Sequence, residues 1–139
     1  IIGILMTDES YRPGFEKIAC SIDKDMKTIP GVHYNTRSGE RFDHGIDEAR
    51  YWHMTQTLTG DATDGYKGCP GVGPVAAAKL IDGVDPSLMW PIVLGAFAKK
   101  GLGKAVALEN AQVARIAWAE DYNPETNEVT PWQPELLRR

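Results

Sequence analysis

The sequence predicts an α/β chain that is mostly helical, and three observations predict it. Lys17 to Ile22 is a short apolar, β-branched run without clean polar alternation, the pattern of a strand covered on both faces in a parallel sheet. Prolines and glycines then punctuate the second half of the chain at helix-length intervals, with Pro74 and Gly83 bounding one segment and Pro91 and Gly101 another. Finally, 139 residues at 42% hydrophobic content are enough to bury a real core. No apolar run approaches the ~20 residues of a membrane helix.

Taken in order, Ile1 to Thr7 reads as the end of a helix and Tyr11 to Gly14 as a loop. Asp23 and Asp25 follow the Lys17 to Ile22 strand. In extended chain, residues two apart point to one side, so both carboxylates can face a crevice at the strand's C-terminal end. Val32 to Phe42 has β-leaning residues on either side of Thr36-Arg37-Ser38-Gly39-Glu40 and reads as a β-hairpin. Asp47 and Glu48 suit the positive end of the next helix, in which Tyr51, Met54 and Leu58 form a core stripe. Gly60 ends that helix in the left-handed conformation and delivers Asp61 and Asp64, which a single helical turn would place on one side.

Gly71-Val72-Gly73 turns the chain tightly, Pro74 suits a first helical position, and the run from Val75 to Ile81 forms helix strongly. This helix should reach about Asp82 and stop at Gly83, and Pro91 should open another that Gly101 closes. Lys104 to Glu120 is expected as the longest helical stretch, with Val106, Val113 and Ile116 on its apolar face. Asn123 to Pro134, with three prolines, reads as an extended or irregular tail. No internal repeat or low-complexity run stands out.

The chemistry concentrates in carboxylate pairs and the glycine turn. Asp23 with Asp25, and Asp61 with Asp64, offer the oxygen ligands that hard divalent cations prefer. Free backbone N–H groups at the helix start near Pro74 favour a phosphate. The net charge of −4 gives no chain-wide basic footprint. Local charge must decide, through Lys67 and Lys79 around the turn and Lys99, Lys100 and Lys104 farther along. Cys20 and Cys69 are too few and too far apart for a disulfide scaffold or a zinc site, and read as reduced. His33, His44 and His53 lack a nucleophile and an orienting carboxylate at useful spacing. Trp52, Trp90, Trp118 and Trp132 could stack on bases, but read as core or edge aromatics.

The segment Gly60-Asp61-x-x-Asp64, Gly68-x-Pro70-Gly71-Val72-Gly73, Ala77-Ala78-Lys79 resembles the helix-three-turn-helix segment of the flap endonuclease and 5′-nuclease family. Within it, the resemblance is to the 5′→3′ exonucleases of T7-like phages. Asp23-Lys24-Asp25 is similar to the Asp-Lys-Asp element that ends a core strand in the same family. The likeness runs from the first residue to about Trp132.

The resemblance implies that residues 1–58 are the C-terminal part of a PIN-like, parallel-sheet nuclease core with a β-hairpin. Residues 59–139 would be a helix-three-turn-helix, or helix-hairpin-helix-like, DNA-binding region with C-terminal helices. It implies divalent-metal-dependent 5′→3′ exonuclease or 5′-flap hydrolysis of DNA, with Asp23, Asp25, Asp61 and Asp64 holding two Mg²⁺ or Mn²⁺ ions. Lys67, Gly71, Val72, Gly73 and Lys79 would grip the DNA backbone without regard to sequence, helped by a potassium ion on carbonyls of the Cys69 to Gly73 turn. A monomer in the cytoplasm, away from membranes, is the expectation. The start at Ile1, without methionine, points to a longer parent, in whose upstream part the family carries further carboxylates. The alternative is a non-catalytic helix-hairpin-helix module that only clamps DNA, for which the acidic quartet would have no use.

Overall fold

A computed structural model describes residues 1–134 of the chain. They pack as two compact units, Ile1–Ala49 with Ile116–Pro131, and Arg50–Arg115 with the stretch from Trp132. The fold is mixed helix and sheet.

The first unit opens with helix α1, Ile2–Thr7, as expected. Strands β1 (Ile18–Cys20), β2 (Gly31–Tyr34) and β3 (Arg41–His44) form a sheet in that order. β1 runs parallel to β2 with Ile18 opposite Val32, and β2 runs antiparallel to β3 with Gly31 opposite His44. The parallel pairing agrees with the sequence reading, but the expected burial does not. Only Ala19 of β1 is buried, because among the described residues the strand has a neighbour on one side alone.

The hairpin forms as expected. Asn35 Oδ1 accepts the Arg37 and Ser38 N–H groups at 2.9 and 3.0 Å and fixes the tight connection between β2 and β3. The Trp118 indole N–H donates to the Thr28 carbonyl at 3.0 Å, which ties a later segment to this unit. Asn123 to Pro134 is not wholly irregular. Short strands β4 (Tyr122–Asn123) and β5 (Glu128–Val129) pair antiparallel, with Asn127 in the left-handed region at φ 58°.

The second unit is helical: α2 (Ile46–Thr59), whose first residues lie in the other unit, then α3 (Pro74–Ile81), α4 (Pro86–Lys99) and α5 (Lys104–Ala114). Met54, Leu58, Ile81, Val93 and Phe97 meet in its core, with Ala77, Ala107 and Ala111 letting helices approach closely. Two helix boundaries correct the sequence reading. Pro91 does not open α4. Pro86 does, at the first position, with Asp85 as the cap accepting the Ser87 N–H at 2.8 Å. Pro91 lies inside the helix, where it removes one donor to the Ser87 carbonyl.

The expected longest helix is also shorter. α5 ends at Ala114, the chain runs extended at Arg115, and the rest of the expected stretch holds a three-residue 3-10 helix, Ala119–Asp121. Its buried face is Ala107, Asn110, Ala111 and Ala114, whereas Val106 and Val113 are exposed. Ala107 and Ala111, and not the valines, join the hydrophobic core. Trp132, placed by the sequence in a tail, is 2% exposed. Its ring meets Trp90 at 5.2 Å and His53 at 5.0 Å, both edge-on. Among the described residues, no helix is long and apolar enough to cross a membrane.

Candidate functional site

The first acidic pair sits where β1 gives way to a 3-10 helix, Lys24–Thr28. The sequence placed both carboxylates in extended chain, on one side by alternation. Instead Asp23 is the cap of that helix, accepting the Asp25 N–H on Oδ1 at 2.9 Å, while Asp25 belongs to its first turn. Ser21 Oγ accepts the Asp23 N–H at 3.0 Å, and Thr28 Oγ1 donates to the Asp25 carbonyl at 2.8 Å. Asp23 is exposed and Asp25 half-buried. The pair is therefore ordered by local hydrogen bonds within a few residues.

The second pair is built differently. α2 ends at Thr59, and Gly60 takes the left-handed conformation at φ 68°, as expected. Asp61 and Asp64 do not lie on a helical turn. Asp61 pairs with Tyr66 in an isolated antiparallel bridge, Asp61 N–H to Tyr66 carbonyl at 2.9 Å and Tyr66 N–H to Asp61 carbonyl at 3.1 Å. The Asp61 carboxylate folds over its own loop and accepts the Thr63 N–H at 2.8 Å. This still brings an oxygen of Asp61 within 4.8 Å of one of Asp64, with Asp61 half-buried and Asp64 exposed. An open depression of about 470 Å³ beside them is lined by Asp61, Ala62, Gly65, Tyr66 and Lys67.

What fixes this loop escaped the sequence reading. The backbones at Gly60 and Gly68 touch: a Cβ on Gly60 would fall on Lys67 and Gly68 backbone, and one on Gly68 would fall on the Gly60 nitrogen and Leu58 carbonyl. Gly68 also has φ 67°, so no side chain fits there on either ground. The Gly68 N–H donates to Asn110 Oδ1 at 2.8 Å, and Asn110, 8% exposed, returns its own amide N–H to the Val106 carbonyl at 2.8 Å. Two glycines eight residues apart could have hinted at the contact. Nothing in the sequence singled out Asn110.

Cys69 to Gly73 forms the turn before α3. Val72 N–H donates to the Cys69 carbonyl at 3.1 Å, and Gly71 needs the left-handed region at φ 75°. Gly73 caps α3 with extended backbone, φ −90° and ψ −175°, and Pro74 takes the first helical position as expected. Lys67, Gly71, Gly73 and Lys79 are exposed, while Val72 packs against the core. Lys100 reaches the same turn, since a Cβ on Gly71 would lie 3.6 Å from its ammonium nitrogen. Burial pushes the Cys69 thiol up, the Lys100 charge opposing this, so the sulfur stays a neutral core group.

Two of the histidines are structural. His53, fully buried, is held neutral with its pKa pushed down to about 3 by burial, and its Nε2 lies 2.7 Å from the Ala111 carbonyl. A carbonyl only accepts, so Nε2 carries the proton. His33 is buried with Nε2 2.8 Å from the Ile29 carbonyl and its ring stacked on Phe42. His44 is pushed down by burial, against the pull of Glu48.

The chain is similar to an exodeoxyribonuclease of Enterobacteria phage T3, 28% identical over 96% of this chain and 54% of that protein. It is similar to an exonuclease of Escherichia phage T7, 26% identical over 96% of this chain and 54% of that protein. The resemblance to T7-like phage exonucleases therefore holds along nearly the whole chain, and the chain spans about half the length of these curated relatives. No protein-family profile and no solved structure matches it.

Proposed function

We propose that the protein is a divalent-metal-dependent 5′→3′ exonuclease or 5′-flap nuclease acting on DNA, to which this chain contributes the C-terminal part. The observation that carries this reading is the likeness, along 96% of the chain, to two phage proteins named as exonucleases. In this reading residues 1–58 serve the catalytic core and residues 59–139 hold DNA, a functional division distinct from the packing units.

Asp23, Asp25, Asp61 and Asp64 act together on one phosphate. Their donor set is all oxygen, which suits Mg²⁺ or Mn²⁺ and not a thiophilic metal, and the close approach of Asp61 and Asp64 oxygens within 4.8 Å fits a shared hard cation. Two such cations, when bound, supply charge neutralisation at the scissile phosphate and a lowered pKa for the attacking water. The chain's own part is to aim the carboxylates. Asp61 is held by its bridge to Tyr66 and its bond to the Thr63 N–H, so its ligating edge is pre-set. Lys67 stands beside it as a cation for the DNA strand.

Gly71, Val72 and Gly73 present backbone to a neighbouring phosphate, with Lys79 adding a point charge. Carbonyls of the Cys69 to Gly73 turn are the groups that would hold a potassium ion. Binding through backbone and lysines makes the DNA contact independent of sequence and salt-sensitive. One copy of the protein suffices for this arrangement.

The test uses the full-length protein with Asp61→Asn and Asp64→Asn in a labelled 5′-end release assay with Mg²⁺. Turnover should fall by about two orders of magnitude or more, since even groups that merely support a metal ligand are worth ~10–100-fold. Duplex binding should persist. Near-normal turnover in both variants would remove these aspartates from catalysis, and loss of DNA binding with turnover intact at saturating DNA would leave this loop a clamping role alone.

A further inference from the structure

We infer that the connection between α4 and α5, Gly101-Leu102-Gly103, is a second DNA-backbone contact of the same design as Gly71-Val72-Gly73, served by Lys99, Lys100 and Lys104. This rests on the DNA-binding reading of the first turn and extends it to a second backbone turn, at which the lysines already noted in the sequence find a place.

The two turns repeat one another thirty residues apart, although no repeat was legible in the sequence. Gly71 and Gly101 are both left-handed, at φ 75° and 73°. Val72 and Leu102 both turn inward and pack against the same core. Gly73 and Gly103 both cap the following helix in extended backbone, at φ −90° and −81°. Ala77 and Ala107, four residues on, are both 0% exposed. So few identities, separated by unrelated helix faces, give no periodic signal.

Three observations make the second turn more than a repeated corner. First, neither Gly73 nor Gly103 is required to be glycine by the fold. Their φ values suit any residue, and a Cβ on either would meet nothing within 4 Å. Serine or aspartate would cap either helix better. Glycine is itself a tolerated cap, and the missing side chain at these exposed positions leaves room for something approaching from outside.

Second, the charge runs against the helix dipole. α2 places Asp47 and Glu48 in its first turn, as a dipole favours, but α3 and α5 carry no acid there, and α5 begins with Lys104. A lysine at the positive end of a helix is unfavourable unless an anion shares the place. Third, the basic residues cluster. Residues 67–104 hold five lysines against two aspartates, in a chain whose net charge is −4. Lys99 and Lys100, at the end of α4, suit that helix's negative end and need no partner on that account. Lys100, however, leans from the second turn to Gly71 of the first, so the two turns share one ammonium group. Two exposed backbone turns with interspersed lysines fit a polyanion whose charges repeat, which is a DNA backbone.

The full-length protein and labelled duplexes of unrelated sequence, titrated in EDTA at several salt concentrations, test this. Lys104→Ala should weaken binding to every duplex alike and lower the salt slope by about one, and Lys79→Ala with Lys104→Ala together should lower it by about two. Gly103→Val, which adds a side chain in open space on permitted backbone, should weaken binding to every duplex, with only the small drop in melting temperature that a poorer helix cap brings. If Gly103→Val and Lys104→Ala bind like the parent while Gly73→Val and Lys79→Ala bind weakly, the second contact does not exist and the first stands. If none of the four changes binding, both the inference and the DNA reading beneath it fall.

Discussion

The two acidic turns deliver carboxylates by opposite means. Asp23 and Asp25 are ordered by their own neighbourhood, through a cap on a five-residue 3-10 helix and hydrogen bonds to Ser21 and Thr28. Asp61 and Asp64 stand on a loop pinned at its two ends by the Gly60 to Gly68 backbone approach and, across 42 residues, by the Gly68 N–H to Asn110 bond. A local cap gives way to a single substitution without disturbing the core, whereas a loop wedged against core backbone transmits its strain. Rigidity at a ligand site can thus come from sequence neighbours or from the packed interior, and the second is costlier to disturb.

The largest expected effect comes from Gly68→Ala. The added methyl meets the Gly60 nitrogen and Leu58 carbonyl, and φ 67° penalises it further, so unfolding free energy should drop by about 3 kcal/mol or more. Urea denaturation measures it. A drop under about 1 kcal/mol would mean that the loop yields easily and that the contrast between the two turns is weaker than the contacts imply.

Acidification should act next in size, through the same support. His53 donates to the Ala111 carbonyl, one residue beyond Asn110, and burial holds its pKa at about 3, below the ordinary 6.5 of an imidazole. The neutral form is the folded one, so its contribution is complete above pH 6.5 and is lost as pH falls toward 3, when the unfolded chain takes up the proton first. At pH 5 the loss should be about 2 kcal/mol relative to pH 7.5. Denaturation midpoints across this range, compared with His53→Gln, read it out: a pH profile unchanged by the substitution would assign the acid sensitivity elsewhere.

Asp23→Ala should do least. Losing the cap on so short and exposed a helix should lower stability by about 1 kcal/mol or less, and amide exchange should quicken at Asp25 while Gly68 keeps its protection. Faster exchange at Gly68 in this variant would show that the two turns are coupled.

Several elements were legible in the sequence because their causes are local. The hairpin around Asn35, the left-handed end of α2 at Gly60, the start of α3 at Pro74 and the stop at Gly101 each follow from residues whose backbone preferences act within a turn. The carboxylates themselves were legible too, as residue types beside those signals. Their presentation was not. Asp23 became a cap and Asp61 a loop former because aspartate accepts nearby N–H groups more readily than it extends in strand or helix. Pro91 misled because Pro86 and Asp85 together made the stronger start.

By itself, then, the sequence determined the helix and strand types, the turn glycines, the acidic pairs and the likeness to phage exonucleases, since each of these resides in adjacent residues or in their order. Only the tertiary structure decided that Asn110 would hold Gly68, that alanines rather than valines would face inward on α5, that Trp132 would be buried between Trp90 and His53, and that Gly101 to Gly103 repeats Gly71 to Gly73. Close packing sets these contacts, choosing among many faces that are equally apolar or equally small. Such a choice depends on which distant segments arrive together, and adjacent residues carry no record of it.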